Sequence, residues 1–213
     1  MYISVDDYRE TYLEGREVAS VLEEIEKIRR EIAKIKKKLE SPANVYDKNY
    51  AYPSEAAVID IYKGYLFEAL AYVSRITGEA CELTEEEKAS LVFDTGVDDI
   101  ACVTLTVGSY LQDKYEILFN EDGAVLSEVH LGKGEIKKDI DSKHTRESLR
   151  ALHIGDWRET YTPDQYGCSL NEPTKWQLRI DYNSGAVPRF FDGFGVFPYN
   201  FAALARLFGA DII

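Results

Sequence analysis

The chain has 213 residues, 45% hydrophobic and 30% charged, enough for one sizeable domain or a small domain carrying an appendage. Its net charge is −13, and residues 79–128 alone hold 13 acids against Lys88 and Lys114. That balance argues against direct nucleic-acid binding, which needs clustered Lys and Arg on phosphates, and leaves two readings of the acidic face: one that attracts a basic protein partner, and one that is solvated and only aids solubility.

No window approaches 18 apolar residues, so no membrane span is expected. The N-terminus has no basic segment followed by an apolar run, and Cys81, Cys102 and Cys168 are far apart and odd in number. Both features predict a cytoplasmic chain with free thiols. The cysteines form no C-x-x-C pair and the three histidines are scattered, so neither a metal nor a cofactor is expected.

In chain order, residues 6–40 read as one long helix. Val18, Val21, Ile25, Ile28, Ile32, Ile35 and Leu39 recur in steps of three and four, with acids early and lysines late to suit the helix dipole. Val21, Ile25, Ile28, Ile32 and Ile35 thus form a candidate coiled-coil seam. Charges at the flanking positions suit a parallel homo-oligomer, and Ile at both core positions leaves the stoichiometry open. The competing arrangement is a helical hairpin within the chain. Ser41-Pro42 ends the first helix, and residues 54–77 offer a second with a broad apolar face.

Thr84-Glu-Glu-Glu87 is a capping box that starts a short helix to about Phe93. Alternation then predicts strands at 100–107, 114–119 and 124–131, with a turn at Asn120-Glu-Asp-Gly123. A polar segment and a short helix over 145–152 follow. Next come a hairpin of 176–182 with 187–191, turned at Ser184-Gly185, and a last helix with Asn200 as its N-cap. The fold class is α+β, with a helical arm over 1–78 and an α+β domain over 79–213, where an antiparallel sheet is flanked by short helices.

Within the second domain, Leu91-Val-Phe-Asp94-Thr95-Gly96 resembles the active-site segment of retroviral-type aspartic proteases. The resemblance implies Asp94 as a catalytic carboxylate, paired across a dimer so that the two share a proton and activate water. The same region offers a second reading, in which Asp94, Asp98, Asp99 and Glu85 to Glu87 are oxygen donors for a divalent cation; their spacing does not fit an EF-hand. A third reading is a small-molecule pocket around His153 and Trp157, with Tyr161, Tyr166 and Tyr182 nearby.

The aromatic stretch over 153–208 carries the widest resemblance. His153-x-Gly155-x-Trp157, Trp176-x-Leu-x-Ile-x-Tyr182 and Phe197-Pro-Tyr-Asn-Phe201 are similar to a C-terminal module of poorly characterised Gram-positive proteins, often carried on mobile elements. Members usually have Gly-Thr before the first strand, where this chain has Pro173-Thr174-Lys175, and Asn-Ala-Tyr-Pro before the last helix, where it has Phe194-Gly-Val-Phe-Pro198. Mobile-element proteins of this size and acidity include anti-CRISPR and anti-restriction proteins, a link by analogy of class. The expectation is a non-enzymatic inhibitor that occupies the basic channel of a guide-RNA-loaded nuclease. Its partner-binding residues would be Asp98, Asp99, Glu116, Glu121 and Asp122.

Overall fold

A computed structural model describes residues 2–42, 53–110 and 112–210. The chain divides into two compact units, one ending at Leu83 and the other starting at Thr84.

The first unit is helical. α1 (Val5–Tyr12) is capped by the Ser4 side chain on the Asp7 amide, and α2 (Val18–Glu40) follows after a break. The single helix expected over 6–40 is therefore two. Leu13 ends α1, and Gly15 takes a left-handed φ of 74°, which a continuous helix does not allow. α3 (Glu55–Thr77) is capped by Ser54 and closed by Gly78 in the left-handed conformation.

α2 and α3 form an antiparallel hairpin, with Lys38 near the end of α2 bonded to Glu55 at the start of α3 at 2.5 Å. Val21, Ile25, Ile28 and Ile32 are buried and Ile35 is half-buried, while α3 buries Val58, Ile59, Leu66, Ala69, Leu70 and Val73. The apolar seam read as a possible coiled coil is thus largely covered inside the chain. Removing each such side chain from water is worth about 1.5–3 kcal/mol, so the intramolecular partner wins by proximity.

The second unit is α+β, as expected. α4 (Glu85–Gly96) starts at the Thr84–Glu87 capping box, whose two reciprocal bonds are both made. β1 (Ile100–Gly108), β2 (Asp113–Asn120), β3 (Gly123–Val129) and β4 (Ile136–Ile140) form a meander leading into α5 (Ser142–Ala151). β5 (Thr160–Tyr161), β6 (Lys175–Tyr182), β7 (Arg189–Phe194) and α6 (Phe201–Leu207) complete the unit. The sheet order is β4-β3-β2-β1-β6-β7-β5, antiparallel except for the β5–β7 pair.

One sheet face holds the core. Val103, Leu105 and Val107 alternate inward on β1, Tyr115, Ile117 and Phe119 on β2, and Trp176, Leu178 and Ile180 on β6. α6 closes it with Phe201, whose ring centroid lies 4.8 Å from that of Trp176. Gly193 faces Trp176 so closely that a Cβ there would stand 2.2 Å from the indole nitrogen. The opposite face carries Thr104, Thr106, Glu116, Gln177 and Arg179 half or fully exposed, the usual state of an antiparallel sheet covered on one side.

Candidate functional site

Register decides which acids meet. Cys102 pairs with Leu118 and Ala124 with Ile140, so the start of β1, the β2–β3 turn and the end of β4 share one end of the sheet. Asp98, Asp99, Glu121 and Asp122 gather there, with Asp141 just beyond β4. Asp98, Glu121 and Asp122 are exposed. Glu116 is not part of the group. It stands in mid-β2 opposite Thr104 and is paired with Lys114 at 2.7 Å.

The segment that presents Asp98 and Asp99 is held from α5. Arg146 donates to the carbonyls of Val97 at 2.5 Å and Ile100 at 3.1 Å, and its guanidinium lies 4.0 Å from the Phe119 ring centroid. Burial pulls the Arg146 pKa below its ordinary value. Arg150 adds a bond to the Asp94 carbonyl and an ion pair with Asp98 at 3.0 Å.

Asp99 has a different job. Its carboxylate accepts from the amide and hydroxyl of Ser184, and its carbonyl accepts from the amide of Asn183 at 2.8 Å. It therefore ties the β6–β7 turn to the start of β1. Asp99 belongs to the architecture of this end, whereas Asp98, Glu121 and Asp122 face solvent.

Asp94 sits in the last turn of α4 and not after a strand, so the aspartic-protease geometry is not formed. The capping box at Thr84 carries the helix through Leu91, Val92 and Phe93, the residues the protease motif needs extended. Its Oδ2 lies 2.5 Å from Nδ1 of His153, and the Ser90 hydroxyl donates weakly to the same oxygen at 3.5 Å. His153 has a left-handed φ of 47°, and Gly155 is packed so tightly that a Cβ would stand 2.1 Å from the Ala89 carbonyl. In the sequence Asp94 and His153 lie 59 positions apart, and no local signal joins them.

Asp94, Asp98 and Asp99 thus turn to His153, Arg150 and Ser184 respectively, and do not converge on a cation. Among the described residues no group of three or more His, Cys, Asp or Glu side chains is placed to hold one.

The aromatic residues divide as well. Trp157 and Tyr161 are buried, and Asn200 joins the Trp157 indole N–H at 2.9 Å to the Leu152 carbonyl at 2.7 Å. Asn200 does precede α6, yet its side chain makes these core bonds and no helix cap. A shallow cavity of about 260 Å³ lies at the β5 edge, lined by Thr160, Tyr161, Lys175, Trp176, Asp192 and Phe194 among others. His153, Trp157, Tyr166 and Tyr182 do not line it.

No helix among the described residues is long and apolar enough to cross a membrane. In comparisons with known proteins, no family model, no curated protein and no solved structure matches this chain.

Proposed function

We propose that the chain is a protein-binding module that captures a basic partner through the acidic end of its sheet. The observation that carries this reading is the register that brings exposed Asp98 to the same sheet end as Glu121 and Asp122, more than twenty positions later in the chain. Asp98 is paired with Arg150 yet exposed, and with Glu121 and Asp122 it leaves excess negative charge at this end, which steers encounter and selects against acidic partners. In its most specific form the partner is a guide-RNA-loaded nuclease, whose nucleic-acid channel is necessarily basic, and the chain is an anti-CRISPR type inhibitor. The likeness of its aromatic stretch to a mobile-element module supports that form.

The test is DNA cleavage by a purified guide-RNA-loaded nuclease with this protein titrated in. Stoichiometric inhibition is expected, weakened at least tenfold by the triple reversal Asp98→Lys, Glu121→Lys, Asp122→Lys and falling with added salt. Glu116→Lys, away from the sheet end, leaves inhibition nearly unchanged. Inhibition that survives the triple reversal sinks the acidic-end reading. Absence of inhibition across nuclease types removes the nuclease, and failure of immobilised basic protein to retain the chain in low salt removes the basic partner altogether.

A further inference from the structure

We propose that two copies of this chain pair edge to edge through β4, joining their sheets into one. The two edges of the sheet are unlike. β5 offers two residues, whereas β4 offers five, Ile136-Lys-Lys-Asp-Ile140, four exposed and the last half-buried. Among the described residues no backbone hydrogen bond reaches its outer side. An unpaired strand edge is a template for another strand, and proteins guard such edges with lysines, as Lys137 and Lys138 do here.

The guard has a self-complementary pattern. If two β4 strands run antiparallel about a two-fold axis at Lys138, Ile136 stands opposite Ile140 of the second copy and Lys137 opposite Asp139, each pair formed twice. Register with β3 puts Ser127 beside Lys137 and Leu126 beside Lys138, so Lys137 and Asp139 share the open face while Ile136 and Ile140 share the other. A two-fold axis normal to the sheet keeps those faces together. Shifting the axis to Lys137 sets Ile136 against Lys138 and Glu135 against Asp139, and shifting it to Asp139 sets Ile140 against Lys138; only the axis at Lys138 pairs the two isoleucines with each other and Lys137 with Asp139. Ile136, 58% exposed and opposite Glu128 of β3 in its own sheet, gains an apolar partner directly across the new seam. Lys137 exchanges its bond to Glu135 at 3.3 Å for one to Asp139. Opposite charges across a pair stabilise it and like charges directly opposite weaken it. The two Lys138 ammonium groups at the axis, and Glu135 opposite Asp141 beyond the strand ends, therefore hold the dimer weak and concentration-dependent.

The measurement is sedimentation velocity of the whole chain across a concentration series up to its solubility limit. A reversible dimer is expected in the upper part of the series. Asp139→Lys sets Lys137 against a lysine and raises the dissociation constant at least tenfold. The double exchange Lys137→Asp, Asp139→Lys restores the pair and the dimer. Lys138→Thr relieves the axis and tightens the dimer severalfold. All three positions are exposed, so circular dichroism should show the fold retained. A chain monomeric at every concentration, with Lys138→Thr also monomeric, overturns the proposal. So does a dimer indifferent to Asp139→Lys.

Discussion

The carboxylate of Asp94 and Nδ1 of His153 stand 2.5 Å apart across a separation of 59 residues, joining the end of α4 to the turn that follows α5. The side chains are only 16% and 24% exposed, so water replaces the bond poorly when it is lost. Asp94→Ala should destabilise the second unit by about 1–3 kcal/mol, read by urea unfolding. His153 adds a backbone requirement through its left-handed φ. His153→Ala and His153→Gly both lose the imidazole, but alanine also bears the strain of that conformation, so glycine should be the milder change by about 1 kcal/mol. Equal costs would show that the turn relaxes out of the left-handed region.

A second link of this kind runs through Asn200. Its amide accepts from the Trp157 indole and donates to the Leu152 carbonyl, all in a buried setting. Asn200→Asp keeps the shape but sets an acceptor against an acceptor at Leu152. Asn200→Ser, a good helix cap, would be harmless if capping were the residue's role. Each should instead cost about 2–4 kcal/mol, with Trp157 fluorescence shifting as its indole loses a partner.

These two links show where sequence reading stops. Thr84 and Glu87 are three apart, so their capping box is a local statement and was legible. The alternation of Trp176, Leu178, Ile180 and Tyr182 was legible because the strand faces core on one side and solvent on the other. β4 escapes because Ile136 to Asp139 are exposed on both faces at the sheet edge and only Ile140 is half-buried, so burial imposes no alternation. The break at Gly15 was overridden by strong heptads on its far side, although the glycine was the signal. Asn200 reads as a cap because its place before a helix is local, whereas its bonds to Leu152 and Trp157 are not. The acidic end lay between these cases. The charges were visible in the composition, but only the β1–β2 register separates Glu116 from Glu121 and Asp122, and only the Ser184 contact removes Asp99 from the exposed set.

In the helical unit, two tyrosines stack and yet should respond oppositely to loss of their hydroxyls. Tyr8 and Tyr65 lie 4.2 Å apart between ring centroids at 12°. The Tyr65 hydroxyl accepts from the Ile3 amide at 3.0 Å and donates to its carbonyl at 2.6 Å. The Tyr8 hydroxyl is buried without a hydrogen-bond partner among the described residues. Burial, helped by the Glu24 charge, drives its pKa far above the ordinary phenol value. Tyr65→Phe should therefore cost about 1–2 kcal/mol, whereas Tyr8→Phe should be neutral or slightly stabilising. A clear loss of melting temperature in Tyr8→Phe would reveal an ordered water on that hydroxyl.

Cys102 gives a pH-dependent test on the open face of the sheet. Burial pushes its thiol pKa up; the Thr104 hydroxyl at 3.7 Å pulls it partly back, and the Glu116 charge raises it again. A raised pKa means that the folded chain holds this proton more tightly than the unfolded one. The associated stability is complete below the unfolded thiol value, about 8.5, and is lost as pH climbs from there through the higher folded value. At neutral pH the thiolate, which is the reactive form, is scarcer than in the unfolded chain. Iodoacetamide should label Cys102 several-fold more slowly in the folded protein than in urea, as followed by peptide mass spectrometry. Glu116→Gln removes one of the forces raising the pKa, so labelling should quicken and its pH profile should move to lower pH. An unchanged profile in that variant would mean that solvent screens Glu116 from the thiol, leaving burial and the Thr104 contact to set the proton affinity.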